Sequence, residues 1–131
     1  MAEFHLQIVT PDGLLYDGMA EKIIVRTENG DIGILANHIN LVTTLGIGVA
    51  KVIIGGKERF AACAGGMLSV TKDVTRIVAS TFVWSENIDV ERAKKAKEKA
   101  EELLKRKNSE RELTLAKLKL KRALSRISAV K

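Results

Sequence analysis

The chain has 131 residues and a formal net charge of +6, a length that suits one compact domain with an appendage or two small domains. Its single cysteine, Cys63, excludes a disulfide framework and favours a reducing compartment. Residues 1–5 lack the basic start and apolar core of a signal peptide, and no apolar run approaches the roughly 18 residues that span a bilayer. We therefore expect a cytosolic protein, or one attached to a membrane only through partners.

Charge and backbone composition change together near residue 87. All ten glycines and the only proline fall within residues 1–66, whereas residues 88–131 contain neither. Residues 1–87 carry 7 Lys and Arg against 9 Asp and Glu, a net charge of −2, and residues 88–131 carry 15 against 7, a net charge of +8. The sequence thus predicts a β-rich body over 1–86 and a helical tail over 87–131 that is too short to form a core alone.

Short apolar runs separated by turn residues make up the body. The first run, residues 4–9, alternates apolar and polar side chains and ends in a turn at residues 10–13. Gly55-Gly56 is a good two-residue hairpin signal, since glycine accepts positive φ. Seven or more short strands predict an antiparallel β-sandwich or flattened barrel. The remaining runs are residues 14–16, 22–26, 33–35, 49–54, 59–63, 67–71 and 74–79.

The body sequence contains no pattern typical of catalysis or metal binding. His5 and His38 lie 33 residues apart, which is neither a metal-ligand spacing nor a hydrolase motif. The glycine pairs at 55–56 and 65–66 lack the GxxxxGK[ST] spacing, so we interpret them as turns rather than phosphate-binding loops. Cys63 lies in an apolar run and is most simply a small buried residue. The body is expected to be a scaffold or docking surface.

The first tail helix is predicted to follow the last strand directly. Asn87 is a candidate cap, and Asp89 falls in the first turn, where a carboxylate complements the helix dipole. The helix should run to about Arg106. Its apolar stripe is small, so another helix can approach closely but little apolar surface is buried. The stripe consists of Ala93, Ala96, Ala100 and Leu103.

A break at residues 107–109 precedes a second helix. Ser109 followed by Glu112 is a capping box that starts this helix. Its stripe repeats at three and four residues, which completes a helical hairpin that could fold back on the body or extend against a partner. The stripe consists of Leu113, Ala116, Leu120, Ala123, Ile127 and Val130.

Charged residues of the two helices are predicted to meet if the hairpin closes antiparallel. Asp89 and Arg92 lie on one face of the first helix, and Arg122 and Arg126 lie one turn apart near the end of the second. Three arginines around one carboxylate favour a bound anion, because guanidinium groups suit phosphate oxygens. An ordinary solvated Asp–Arg pair is the more common origin of such spacing. Both interpretations remain open on spacing alone.

Four motifs in order along the chain resemble the epsilon subunits of bacterial-type F-type ATP synthases. Residues 30–35 (GDIGIL), followed by His38 and Leu41, resemble the most recognisable motif of that family, and residues 64–67 (AGGM) resemble its Gly-Gly strand entry. Residues 88–93 (IDVERA) are similar to the family's nucleotide-binding motif I/L-D-x-x-R-A. Residues 121–126 (KRALSR) resemble its paired-arginine segment.

The resemblance implies a ten-stranded β-sandwich followed by a two-helix hairpin. It implies a non-catalytic rotor subunit that couples ion flow, of H⁺ or Na⁺, to ATP synthesis at the cytoplasmic face of the bacterial membrane. The implied partners are the gamma subunit, the c ring and the acidic C-terminal region of the beta subunits, which suits a tail of +8. The hairpin would permit turnover when folded and inhibit ATP hydrolysis when extended.

The resemblance also carries site residues over. Asp89, Arg92, Arg122 and Arg126 match the pattern of relatives that bind ATP as a regulatory ligand, while Asp31 and His38 match the face that approaches the c ring. No catalytic residue, metal ligand or required cofactor is implied, and nothing in the sequence calls for Mg²⁺. Two positions depart from tight binders: Val83 stands where a carboxylate can occur, and Lys99 where an arginine can occur.

The sequence also bears on two other classes of function, a nucleic-acid binder and a free-standing enzyme. A nucleic-acid binder would use the basic tail, but its lysines are interleaved with glutamates and it has no aromatic residue for stacking. A free-standing enzyme would need a nucleophile–base pair or a metal cluster, and the sequence offers neither. We therefore expect no nucleic-acid partner, and no insertion into the membrane.

Overall fold

The computed structural model describes residues 2–106 and 109–130, which form eight strands, one short 3₁₀ turn and two helices. The strands are β1 (Phe4–Thr10), β2 (Gly13–Ala20), β3 (Lys22–Thr27), β4 (Gly30–Leu35), β5 (Leu41–Thr44), β6 (Ile47–Ile54), β7 (Lys57–Val70) and β8 (Thr75–Trp84). The 3₁₀ turn Ser85–Asn87 leads to α1 (Val90–Lys105) and α2 (Glu110–Val130).

The strands form one continuous hydrogen-bonded path in the order β2-β1-β8-β7-β6-β3-β4, and β5 pairs with β7. Glu21, just after β2, donates its backbone N–H to the Ile53 carbonyl on β6 at 2.8 Å. The path therefore curls back on itself around one core, as the predicted sandwich requires. The predicted antiparallel β-sandwich followed by a two-helix hairpin is confirmed, with one difference among the described strands: β1 pairs with β8 in parallel.

The described residues form eight strands rather than the ten that the resemblance implies, and β7 shows one reason. Its first half pairs with β6 and its second half with β5, yet it runs on without interruption. The change of partner occurs near Gly65 and Gly66, both at positive φ. A Cβ on Gly66 would lie 1.9 Å from the Val78 carbonyl oxygen, so only glycine fits there.

Two predictions for the body are confirmed, namely the hairpin turn at Gly55-Gly56 and the burial of Cys63. Gly55 and Gly56 form the β6–β7 turn with φ of 57° and 77°, the values that a tight hairpin demands. Cys63 is buried, and burial raises the pKa of its thiol to about 12, so it stays protonated and unreactive. The largest fully buried side chains are Leu6, Ile8, Ile23, Val25, Ile34, Val52, Leu68 and Ile77.

Both helices begin at polar caps. Asp89, and not Asn87 as predicted, is the N-cap of α1: its carboxylate accepts the Arg92 backbone N–H at 3.1 Å. Asn87 cannot cap because it belongs to the 3₁₀ turn before the helix. Ser109 caps α2 as predicted, since its Oγ accepts the Glu112 N–H at 3.3 Å. The rest of the predicted break, residues 107–108, lies outside the described residues.

The hairpin is closed and lies folded against the sandwich. Alanines line the contact between the helices, with Ala93 and Ala100 of α1 and Ala116 and Ala123 of α2 all buried. The predicted α2 stripe is wrong at its end, because Val130 is 41% exposed while Ser125 and Ala129 are buried. The apolar stripe did not predict that α2 has a second buried face. This second face packs on β6 and β7.

One hydrogen bond ties this second face to the sandwich. Ser125 donates its hydroxyl to the Gly48 carbonyl of β6 at 2.9 Å. Neither described helix is both long and apolar enough to cross a membrane.

Candidate functional site

Side-chain contacts hold the end of β8 in place, at the point where the chain passes from the sandwich to the hairpin. The Arg59 guanidinium lies 3.8 Å from the ring centroid of Trp84, and its Nη2 donates to Glu86 Oε1 at 2.5 Å. Phe82 packs edge-on against Trp84 with ring centroids 5.2 Å apart. A cation held over an indole and paired with a carboxylate fixes the 3₁₀ turn on β7.

A cavity of about 220 Å³ opens beside this turn, between β8, the start of α1 and the end of α2. We call it the hinge cavity. It contains one carboxylate and two guanidinium groups, so its charge is positive overall. Its lining residues are Val83, Asn87, Ile88, Asp89, Arg92, Ala93 and Arg126.

A second cavity of about 270 Å³ lies further along the groove between α1 and α2. We call it the interhelix cavity, and Arg126 borders both cavities. The described residues that line it include four cations and no carboxylate. Its lining is therefore more positive than that of the hinge cavity and attracts anions more strongly. Those residues are Ala96, Lys99, Ala100, Leu103, Lys119, Arg122, Ala123 and Arg126.

The structure brings together the four residues that the sequence predicts for ATP. Asp89, Arg92 and Arg126 border the hinge cavity, and Arg122 joins Arg126 at the interhelix cavity. Small side chains make this possible, because the buried alanines let α1 and α2 approach closely while the long basic side chains lie beside them. One oxygen of Asp89 accepts the Arg92 N–H, and no hydrogen bond from a described residue reaches the other, which can therefore accept from a ligand.

Asp31 and His38 border different cavities. Asp31 on β4 pairs with Arg26 on β3 at 2.8 Å and borders a cavity between the sandwich and α2. His38 follows β4, donates from Nδ1 to the Ile39 carbonyl at 2.7 Å, and borders a cavity that also contains His5. Their contact with a c ring stays a prediction.

Two residues near the site were missed by sequence reasoning. Lys119 borders the interhelix cavity, and its spacing of three from Arg122 was a usable signal that the two share a face. Arg59 had no such signal, because it lies 27 residues from Glu86 and meets it only through strand pairing. The Arg59 contact also occupies Glu86, the acid closest in sequence to Val83.

The remaining titratable clusters of the sandwich are small. His5 Nε2 contacts Asp17 Oδ1 across the β1–β2 pair, and this hydrogen bond holds the Asp17 pKa below its usual value. Among the described residues, no three His, Cys, Asp or Glu side chains are placed to hold a metal ion.

Both halves of the chain match known family descriptions. Residues 3–85 match the ATP synthase, Delta/Epsilon chain, beta-sandwich domain, and residues 86–131 match the ATP synthase, Delta/Epsilon chain, long alpha-helix domain.

Solved structures agree with this match. A chain of the Euglena gracilis mitochondrial ATP synthase, determined as OSCP/F1/c-ring in rotational state 1, superposes with a TM-score of 0.87 at 26% identity. The match covers 100% of this chain and 83% of that one. A chain of the Tetrahymena thermophila mitochondrial ATP synthase central stalk/c-ring superposes with a TM-score of 0.64 at 14% identity, over 99% of this chain and 98% of that one, and supports the fold alone.

Two bacterial relatives match over nearly their full length. The ATP synthase epsilon chain of Shouchella clausii (strain KSM-K16) is 40% identical over 131 residues, which covers 100% of this chain and 97% of the relative. That of Alkaliphilus metalliredigens (strain QYMF) is 42% identical over 130 residues, which covers 99% of this chain and 97% of the relative. The chain therefore belongs to the delta/epsilon family of F-type ATP synthase subunits, among the bacterial epsilon chains.

Proposed function

We propose that this chain is a central-stalk rotor subunit of a proton- or sodium-translocating F-type ATP synthase. It is non-catalytic, lies peripherally on the cytoplasmic face of the bacterial membrane within the F1 sector, and contacts the gamma subunit and the c ring through its sandwich, residues 1–86. The hairpin, residues 87–131, regulates hydrolysis. Family membership and the likeness to a chain of an F1/c-ring assembly support the rotor role.

The observation that supports the proposed regulation is the pair of neighbouring cavities at the folded hairpin, both bordered by Arg126. Cationic side chains bind the triphosphate of ATP, whereas its nucleoside requires only a few polar contacts. The four cations of the interhelix cavity suit the triphosphate, and Arg126 continues this positive surface into the hinge cavity. Asp89 then offers its free oxygen to a ribose hydroxyl or to the base amine. Because these cations come from the protein, no Mg²⁺ is required.

ATP held this way favours the folded hairpin. Its ligands come from α2 and from α1 with its cap Asp89, so the site exists only while the hairpin is closed. A ligand shifts a two-state equilibrium by its differential affinity for the two states. When the hairpin opens, its net charge of +8 over residues 88–131 suits the acidic C-terminal region of the beta subunits. In that position the hairpin inhibits ATP hydrolysis.

Calorimetric titration of the full chain with ATP, without Mg²⁺, tests the site. Asp89→Ala, Arg92→Ala, Arg122→Ala and Arg126→Ala should each weaken binding, by about tenfold or more for the arginines, since a charge-assisted hydrogen bond contributes about 1.5–3 kcal/mol. Lys95→Ala is the matched control, because Lys95 is an exposed cation of α1 that borders neither cavity. Equal affinity of wild type and all four variants would refute the site.

A further inference from the structure

One polar side chain at the hinge cavity belongs neither to the motif at residues 88–93 nor to the arginines of the proposed site. Asn87 borders it from the 3₁₀ turn, although the sequence predicted a helix-capping role for this side chain. Asp89 performs the capping instead, so the Asn87 carboxamide has no task in the helix. The carboxamide therefore lies at the hinge cavity, which three of the four cations of the interhelix cavity, Lys99, Lys119 and Arg122, do not border. We take this end as the nucleoside end of the proposed ATP site.

Two other side chains at or beside this turn, Val83 and Glu86, are not suited to recognise a base. Val83 borders the same cavity but is apolar and offers only a packing surface. Glu86 is held by Arg59 at 2.5 Å and is not among the described residues that border the cavity. Its pKa is lowered by its own backbone N–H and then by Arg59, which keeps the carboxylate charged and paired. The turn thus directs Glu86 to the sandwich and leaves Asn87 at the cavity.

Resting on the proposed ATP site, we propose that Asn87 is a specificity-determining residue that selects adenine over guanine. Its carboxamide oxygen accepts the N6 amine of the base, and its NH₂ donates to N7. A carboxamide is the side-chain group that matches this donor–acceptor pair of adenine. On the same edge guanine presents two acceptors, O6 and N7, so one amide hydrogen bond is lost and two oxygens face each other.

Asp89 has a different part in this assignment. Asp89 borders the hinge cavity together with Arg92 and Arg126, and its second carboxylate oxygen accepts a ribose hydroxyl, which ATP and GTP share. The two residues therefore differ in what their removal changes. Asp89→Ala lowers the affinity for ATP and GTP by the same factor, whereas Asn87→Ala lowers the affinity for ATP alone and so reduces the ratio of the two.

Calorimetric titration of the full chain with ATP, GTP and 7-deaza-ATP tests the assignment. Wild type should bind ATP about tenfold more tightly than GTP or 7-deaza-ATP, the effect of one bidentate contact in a partly solvated site. Asn87→Ala should bind all three with affinities equal within about twofold. Glu86→Gln, at the adjacent residue, should keep the wild-type preference, because Glu86 does not border the cavity.

The outcomes separate the inference from the proposed function. If wild type binds no ATP, the proposed regulatory site and the role of Asn87 both fail. If wild type binds ATP but Asn87→Ala keeps the wild-type preference for ATP over GTP, only the role of Asn87 fails. Loss of the preference in Glu86→Gln instead would assign base recognition to Glu86 and overturn the inference. A far-ultraviolet circular dichroism spectrum of each variant shows that it is folded, as expected for substitution of an exposed residue.

Discussion

At the scale of single residues, two polar contacts decide how the hairpin is attached. Ser125 is 8% exposed and donates to the Gly48 carbonyl, and Arg59 holds Glu86 beside Trp84. The first contact lies far along α2 and must break if the hairpin lifts. The second lies at the pivot and can persist in both positions. These two bonds therefore affect different properties, namely the position of the hairpin and the stability of the sandwich.

Ser125→Ala should loosen the folded hairpin without affecting the sandwich. It removes a hydrogen bond of about 1 kcal/mol and leaves the Gly48 carbonyl without this donor. Amide hydrogen exchange in α2 should therefore become about fivefold faster, while exchange in β6 away from Gly48 stays the same. Ser128→Ala is the control, since Ser128 is exposed one turn further along. Unchanged exchange in α2 would show that Ser125 does not hold the hairpin.

Glu86→Gln should lower the stability of the protein in a pH-dependent way. The folded-state pKa of Glu86 lies below its ordinary value of 4.5. Its contribution is therefore complete above pH 4.5 and lost as the pH falls through the folded pKa. Wild type should exceed Glu86→Gln in urea midpoint at pH 7, and the difference should vanish in strong acid.

Fluorescence of Trp84, the only tryptophan, reports the unfolding. Glu98→Gln, which changes an exposed carboxylate of α1, is the control and should match wild type at each pH. A difference between wild type and Glu86→Gln that persists at low pH would contradict an electrostatic contact.

At the scale of the elements, the alanine seam between α1 and α2 makes the hairpin specific in geometry but weak in energy. Each buried alanine contributes little apolar area, so the contact between the two helices contributes little hydrophobic stabilisation for its length. The same small side chains bring the basic residues of both helices around the two cavities. The same alanines therefore shape the candidate ligand site and keep the contact between α1 and α2 weak.

Ala100→Leu should open the seam. Ala100 is 1% exposed, so a larger side chain forces the helices apart at a cost of about 1–3 kcal/mol. Thermal unfolding of the helices, followed at 222 nm, should shift to lower temperature. Glu98→Leu adds the same side chain at an exposed position of α1 and should leave the transition in place. Equal melting of Ala100→Leu and wild type would argue against close packing of the seam.

Much of this arrangement could be predicted from the sequence. The strand runs, the Gly55-Gly56 turn, both helices and the Ser109 cap depend on neighbours in the chain, and local patterns report such contacts well. The parallel β1–β8 pair, the second buried face of α2 and the Arg59–Glu86 contact each join residues far apart in sequence. No local periodicity reports them. The capping error at Asn87 arose because the chain inserts a 3₁₀ turn before α1.

At the scale of the whole molecule, the sandwich and the hairpin differ in the size of their cores and in net charge. The sandwich has a fully formed core and a net charge of −2 over residues 1–87, whereas the hairpin has a small core and a charge of +8. In the regulation proposed above, a ligand or partner shifts the balance between two hairpin positions by its difference in binding free energy for the two. The folded arrangement is the one in which the candidate site is assembled.

Truncation after Glu86 should relieve inhibition of ATP hydrolysis in the assembled enzyme. The sandwich and its pivot contact remain, so the complex should still assemble, but the basic arm is absent. The ATPase rate of the complex with truncated chain should exceed that with full-length chain, most clearly at low ATP. The same subunit composition in both preparations is the control. Equal rates would count against an inhibitory arm.

The distance between α2 and the sandwich in the assembled synthase tests the central claim most directly. Spin labels on Glu28→Cys and Ser128→Cys, which border one cavity in the folded state, report it by pulsed electron paramagnetic resonance; Cys63 is buried and stays unlabelled. We expect a short distance at saturating ATP, and a second population at a much longer distance when ATP is removed. A single short distance at every ATP concentration would contradict a mobile arm.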